Sequence, residues 1–259
     1  MLTFAANLSW MFKEHAFLDR FAAAADAGFH TVEYLFPYDQ DPDAIAARLA
    51  RTHLKLALFN APPGDMTNGE RGLACLPARQ AEFRASIANA LDYACVTGAP
   101  RLHVMAGCGT GEQALSTYKD ALRFACQEAA AHGVDILIEP LNARDAPGYL
   151  LNDFGLAQNL IAELELPNLR LQFDIYHRQI IHGDVIRGLE ELLPITGHMQ
   201  ISSVPGRNEP TTGELDDLRI LKTVESLGYA GVIGCEYQPA AGTVEGLGWM
   251  RGLTAQSAP

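Results

Sequence analysis

Three carboxylates and one amide lie in or directly after short apolar runs of the sequence. Glu139 follows ILI, Asp174 follows LQF, Gln200 lies within HMQIS and Glu236 follows VIGC. A carboxylate beside a buried apolar segment must be paired, protonated or bound to a metal ion, because burial of an isolated charge is prohibitively costly. If the four residues converge, their oxygen atoms form a shell that suits a hard divalent ion. The set therefore predicts a Mg²⁺ or Mn²⁺ site.

The runs that carry these residues belong to a regular alternation of strand and helix patterns. Helical patterns, several of them closed by Gly, separate eight segments with the composition of buried strands, at 2–8, 31–36, 54–60, 101–107, 135–140, 169–176, 197–202 and 231–237. Eight such units predict an α/β fold, a single (β/α)₈ TIM barrel over residues 1–259. An open doubly wound sheet is the alternative, but no G-x-G-x-x-G follows the first strand.

The barrel explains how the four residues could meet. They come from the fifth to eighth predicted strands, and TIM barrels carry their chemistry at the carboxyl ends of the strands. Adjacent strands lie about 4.8 Å apart, so residues at matching heights can surround one point. For any one residue alone, a surface acid or a helix cap is the alternative interpretation. Glu33 and Asn60 end the second and third strands and are predicted to face the same mouth as substrate-binding residues.

The composition limits the classes of partner. The 259 residues carry a formal net charge of −12, which disfavours nucleic acid and anionic membrane surfaces. Transmembrane helices need about 18 uninterrupted apolar residues, and no window approaches that length. Five widely spaced cysteines fit neither a disulfide framework nor a zinc site, so a cytoplasmic location is expected. Homo-oligomers are common among soluble enzymes, and a closed assembly is compatible with this chain.

Four longer segments carry a resemblance to a known family. IEPLNARDAPGYLLN, LQFDIYHRQIIHGD, HMQISSVPGRNEPTTGEL and GVIGCEYQPAAGTVEGLGW closely resemble the hydroxypyruvate isomerase family, which includes the 2-oxo-tetronate isomerases and belongs to the xylose-isomerase-like TIM barrels. The likeness runs nearly end to end. It implies that Glu139 and Glu236 are the acid/base pair and that these two residues bind a divalent metal with Asp174 and Gln200. Related sugar epimerases usually have His at the position of Gln200, and an amide oxygen would hold the ion slightly more weakly.

The reaction implied by this resemblance is the isomerisation of a small hydroxy-keto acid, such as hydroxypyruvate or 2-oxo-tetronate, through an enediolate, with no nucleotide or redox cofactor. Three carboxylates around one divalent ion leave a negative charge, and an acidic substrate adds another. A cation must offset this repulsion. Arg207 is the first candidate, because its planar fork suits a carboxylate, and His177 and His103 follow. The alternative roles are a solvated loop charge or a partner for nearby Glu209 in the case of Arg207, and structural barrel histidines in the case of the other two.

Other functions on the same scaffold share parts of this pattern. A ketose 3-epimerase or an inosose-type dehydratase would use the same metal and glutamates. An apurinic endonuclease would need more His ligands and a basic surface, which the acidic balance disfavours. A non-catalytic sugar-acid binding protein is the alternative from a different class.

Overall fold

The computed structural model describes residues 2–254. Its strands form one sheet, in which every neighbouring pair is parallel. The nine strand segments are β1 (Thr3–Asn7), β2 (Thr31–Glu33), β3 (Lys55–Leu56), β4 (Phe59–Asn60), β5 (Arg101–His103), β6 (Asp135–Ile138), β7 (Leu169–Asp174), β8 (Thr196–Ile201) and β9 (Val232–Cys235). Their order in the sheet is β3-β2-β1-β9-β8-β7-β6-β5-β4.

The two ends of this order belong to the same stretch of chain, so the sheet closes. The β3 segment pairs with β2, and β4 pairs with β5. Between these pairings the chain stays beside β2: Ala57 N–H donates to Val32 O at 2.8 Å and Asn60 N–H donates to Leu35 O at 2.9 Å. The predicted third strand therefore forms one barrel strand with a short irregularity. The result is an eight-stranded α/β barrel, which confirms the predicted fold class.

Helices connect successive strands, as the sequence pattern predicts. Their bounds are α1 (Arg20–Asp26), α2 (Pro42–Thr52), α3 (Gln80–Thr97), α4 (Gly111–Ala130), α5 (Phe154–Leu164), α6 (Ile175–Ile181), α7 (Val185–Leu192), α8 (Asp217–Ser226), α9 (Thr243–Gly246) and α10 (Gly248–Thr254). No helix within residues 2–254 is long and apolar enough to cross a membrane.

The sixth predicted strand ends earlier than its apolar composition suggests. The prediction extended it to residue 176, but β7 ends at Asp174 and α6 begins at the next residue. The Asp174 carboxylate is the reason, because its Oδ1 accepts a hydrogen bond from Tyr176 N–H at 2.8 Å and caps α6. His177 consequently lies on the first turn of a helix. The second helix of this connection, α7, starts after Asp184, whose side chain makes no capping hydrogen bond.

Strand alternation decides which side chains enter the barrel. On β7, Phe173 faces outward and packs on Phe154 of α5, with ring centroids 5.3 Å apart. Gln172 and Asp174 point to the opposite face, the barrel interior, because successive strand residues alternate. The same alternation directs His198 and Gln200 of β8 inward. The inward residues nearest the carboxyl ends of the strands form the mouth of the barrel.

Candidate active site

The four predicted ligands are all buried at the barrel mouth, but Glu236 does not belong to the group of ligand atoms within 4.8 Å of one another, which Glu139 and Asp174 form with His177. Glu139 is 4% exposed, Asp174 1%, Gln200 1% and Glu236 6%. Two other side chains connect them. Arg207 joins Glu236 to Asp174, and Gln172 joins Glu139 to Gln200.

Arg207 is the cation of the site. Its Nη2 donates to Glu236 Oε2 at 2.8 Å and to Asp174 Oδ2 at 3.4 Å. The guanidinium lies between two rings, with its Cζ 4.9 Å from the Trp10 centroid and 4.8 Å from the Tyr176 centroid. Burial alone would lower the pKa of Arg207, but the surrounding carboxylates raise it overall. The sequence predicts that the planar guanidinium of Arg207 binds the substrate carboxylate. The structure modifies this prediction, because Nη2 already donates to Glu236 and Asp174.

The backbone holds Arg207 in an unusual conformation. Its φ is +54°, in the left-handed region that residues other than glycine seldom adopt. Arg207 N–H donates to Ser203 O at 2.9 Å, and Arg207 O accepts from Gln238 N–H at 2.8 Å. These hydrogen bonds tie the loop after β8 to the segment after β9. Such strain is typical of functional sites, where the surrounding structure fixes a side chain in place.

The carboxylates are in an environment that disfavours their charged forms. Burial is the main cause, and it raises the pKa of Glu139, Asp174 and Glu236. The other carboxylates nearby raise the pKa of Glu139 and Glu236 further, whereas Arg207 lowers all three. One guanidinium is thus too little positive charge for three buried acids. A divalent cation would restore the balance.

A chain of hydrogen bonds runs through the barrel beneath the mouth. His198 Nε2 lies 2.7 Å from Glu33 Oε2, and Glu33 Oε1 accepts from Gln200 Nε2 at 2.8 Å. Gln172 Nε2 then donates to Gln200 Oε1 at 2.7 Å and to Glu139 Oε2 at 3.0 Å. This chain fixes the Gln200 amide with its nitrogen toward Glu33 and its oxygen toward Gln172.

Glu33 therefore lies at the centre of the barrel rather than at its open rim. The sequence predicts it as a substrate-binding residue, but both of its oxygens have protein partners, including Asn7 Nδ2 at 2.9 Å from Oε1. A Cβ atom on Gly234 would overlap this carboxylate, so the glycine makes room for it. We conclude that Glu33 positions Gln200.

His177 has a defined protonation state. The Asn142 backbone N–H donates to His177 Nδ1 at 3.1 Å, so Nδ1 is an acceptor. Burial is the main cause that lowers the pKa of His177 well below its usual value, so the ring is neutral and its proton lies on Nε2. Atoms of Glu139, Asp174 and His177 lie within 4.8 Å of one another, and with its proton on Nε2 the His177 ring would donate to a neighbouring oxygen. His177 is therefore a neutral hydrogen-bond donor.

The opposite side of the mouth carries polar atoms without protein partners. Neither ring nitrogen of His103 has a hydrogen-bond partner among residues 2–254, and its Nδ1 lies 3.6 Å from Glu139 Oε2. In the same described range, Asn60 Oδ1 and Glu139 Oε1 also lack partners. Burial lowers the pKa of His103 to about 3, which keeps it neutral. Both predicted substrate-binding residues thus present unused polar atoms.

Sequence reasoning missed Gln172 and Asn142 and did not anticipate the role of Tyr176. Gln172 had a usable signal, because it precedes Asp174 by two residues and so shares its strand face. Asn142 had none, since its contact with His177 depends on how the loop after β6 folds.

Comparison with known proteins agrees with this fold. The family model described as xylose isomerase-like TIM barrel matches residues 21–253. A 2-oxo-tetronate isomerase from Cupriavidus necator is 51% identical over 255 residues, covering 97% of this chain and 98% of that protein. A hydroxypyruvate isomerase from Escherichia coli is 40% identical over 254 residues, covering 96% and 98%. A crystal structure from Brucella melitensis, described as an AP endonuclease of family 2, superposes with a TM-score of 0.95 at 44% identity, covering 97% and 99%.

The fold and its acidic mouth define a barrel of the xylose isomerase-like family, to which this chain belongs. Within it, the chain is an isomerase of the hydroxypyruvate and 2-oxo-tetronate isomerase family.

Proposed function

We propose that the protein moves the carbonyl group of a small hydroxy-keto acid to the neighbouring carbon, with hydroxypyruvate or 2-oxo-tetronate as the substrate. One observation carries this proposal. Two glutamates with raised pKa values, Glu139 and Glu236, reach one buried mouth from strand positions separated by β7 and β8. Such an arrangement suits proton transfer to and from adjacent carbon atoms.

The proton transfers follow from the positions of these groups. One glutamate removes the proton from the hydroxyl-bearing carbon beside the carbonyl, the other returns a proton to the former carbonyl carbon, and the hydroxyl proton passes to the former carbonyl oxygen. His177 Nε2–H donates to the carbonyl oxygen and stabilises the charge of the enediolate. Arg207 binds the substrate carboxylate, since its Nε is buried and without a partner in the part of the chain described here.

The donor set fits a divalent metal ion. Glu139 has an unpartnered oxygen, and the Gln200 oxygen can accept from Gln172 and still offer a second lone pair. With Asp174 and Glu236 these residues would hold Mg²⁺ or Mn²⁺ through oxygen atoms. When bound, the ion would act as a Lewis acid toward oxygen atoms that gain negative charge.

The experiment that tests this proposal follows both acids by ¹H NMR in D₂O with the metal-loaded protein. We expect interconversion of at least one acid, with solvent deuterium entering the product. Glu139→Gln and Glu236→Gln should each lower kcat by about 10²–10⁴-fold. Glu209→Gln, a buried glutamate that accepts from Ala240 N–H, is the matched control and should retain activity. Unchanged turnover in both catalytic variants would contradict the proposal.

The alternative activities are tested in parallel. Free ketohexoses are offered to detect a 3-epimerase, and an inosose to detect a dehydratase. A duplex with one abasic position is offered because of the description given to the Brucella melitensis structure. We expect no turnover of these substrates, and strand cleavage at the abasic position would overturn the isomerase proposal.

A further inference from the structure

The unpartnered polar atoms of Asn60 and His103 belong to neighbouring strands, and we call these two side chains the patch. The two residues are in register on the parallel pair β4 and β5, so their side chains point to the same face of the sheet. The side chain of His103 enters the interior, where its Nδ1 lies 3.6 Å from Glu139 Oε2. The residues are 5% and 1% exposed.

The chemistry of this pair matches a hydroxyl group. The ring nitrogens of His103 can form hydrogen bonds with a ligand, and Asn60 Oδ1 is an acceptor. A hydroxyl group donates one hydrogen bond and accepts others, so it can satisfy both residues at once. Buried polar groups are almost always paired, and these atoms have no hydrogen-bond partner within residues 2–254.

The location defines which end of a substrate reaches the patch. In the eight-stranded barrel, the strand that ends at Asn60 is the third and β8 is the seventh, so the two lie directly across the mouth from each other. Arg207 follows β8 and is the cation expected to hold the substrate carboxylate. A substrate with its carboxylate at Arg207 therefore directs its other end toward Asn60 and His103, past Glu139.

We propose that Asn60 and His103 bind the terminal hydroxyl of a four-carbon 2-oxo acid, and that this contact makes 2-oxo-tetronate the preferred substrate over hydroxypyruvate. The inference rests on the proposed function. In hydroxypyruvate the only hydroxyl lies on the carbon that becomes the carbonyl. In the four-carbon acid the carbonyl moves from C2 to C3, and the C4 hydroxyl takes no part in the reaction. A three-carbon substrate leaves the patch unpaired, and such sites discriminate strongly against substrates that lack the matching group.

The test compares kcat/KM for both acids in the metal-loaded wild type, in Asn60→Leu and in His103→Gln. We expect the wild type to favour the four-carbon acid by about 100-fold or more. Asn60→Leu should lower kcat/KM for the four-carbon acid by about 10–100-fold more than it lowers kcat/KM for hydroxypyruvate. His103→Gln keeps a donor and an acceptor, so most of the preference should remain. The thermal unfolding transition of each variant reports whether it is folded.

Two results would overturn the inference while the proposed function stands. The first is a wild type that turns over both acids equally well. The second is an equal loss on both acids in Asn60→Leu, which would assign the residue to support of the general site. Turnover of neither acid by the wild type would instead show that the proposed function is wrong, and this inference would fall with it.

Discussion

The two sides of the barrel mouth differ in how far the protein satisfies its own polar groups. On the side of β7 and β9, Asp174 and Glu236 share Arg207. On the side of β4 and β5, Asn60 and His103 keep polar atoms with no hydrogen-bond partner in the described chain. On the paired side, the charged groups already have protein partners before a ligand binds. The unpaired side has to obtain its hydrogen bonds from what binds there.

Glu139 lies between these two regions. Its Oε2 accepts from Gln172, whereas its Oε1 has no partner among the described residues. One oxygen is thus fixed by the interior chain of hydrogen bonds, and the other is available to a ligand. We infer that Glu139 connects the two sides of the mouth, because one of its oxygens belongs to the protein's own hydrogen-bond chain and the other can contact a ligand.

The largest effect should separate the roles of Asp174 and His177 on the paired side. Asp174→Asn keeps an acceptor for Tyr176 N–H but removes a charged ligand, so Mn²⁺ affinity measured by calorimetry should fall at least about tenfold. His177→Gln should change that affinity by less than about threefold, because a protonated Nε2 is not a ligand. An equal loss of affinity in both variants would mean that His177 binds the ion.

A smaller effect should come from Arg207, the cation that contacts both Asp174 and Glu236. Arg207→Lys keeps the charge but loses the planar group that stacks between Trp10 and Tyr176. We expect kcat/KM to fall about tenfold, because Lys cannot reproduce a stacked and forked guanidinium. Arg178→Lys is the matched control: Arg178 also contacts an aromatic ring, Phe154, but it lies outside the mouth. Equal behaviour of the two variants would argue that stacking in the mouth is unimportant.

The smallest effect should come from Glu139, whose carboxylate lies between the two sides of the mouth. Burial raises the pKa of Glu139 in the folded protein, so the folded state holds this proton to a higher pH than the unfolded chain does. The contribution of protonated Glu139 to the free energy of unfolding is complete below the pKa of the unfolded chain, about 4.3. It is lost as the pH rises through the pKa of Glu139 in the folded protein. Glu139→Gln does not titrate. In metal-free protein, the free energy of unfolding of this variant relative to wild type should therefore rise between pH 5 and pH 8.

Urea unfolding at several pH values measures this difference. Glu163→Gln is the control, because Glu163 is a surface residue paired with Lys119. A difference between Glu139→Gln and wild type that stays constant over the pH range would contradict a raised pKa for Glu139.

The sequence was sufficient to predict the barrel and that Glu139, Asp174, Gln200 and Glu236 are buried at its mouth, because both depend on local signals. An apolar run followed by a carboxylate marks the end of a buried strand, and parallel strands bring their carboxyl ends to one face. The same reasoning placed the end of β7 two residues too late, since only the structure shows that Asp174 caps α6.

The partners of Arg207 and His177 were beyond this reasoning. Trp10, Tyr176 and Asn142 reach them from three different connections, and the path of each connection depends on tertiary contacts. Gln172 was hidden for another reason, because a single Gln within an apolar strand resembles an exception in the core. Its position two residues before Asp174 is the signal that would have revealed it.

We propose that oxygen atoms from four neighbouring strand ends hold one metal ion while His177 stays outside its coordination shell. Anomalous diffraction from crystals of the Mn²⁺-loaded protein tests this most directly. We predict one strong peak bonded to Glu139, Asp174, Gln200 and Glu236, with His177 Nδ1 still accepting from Asn142 N–H. A peak at another location, or one bonded to His177 Nε2, would contradict the account.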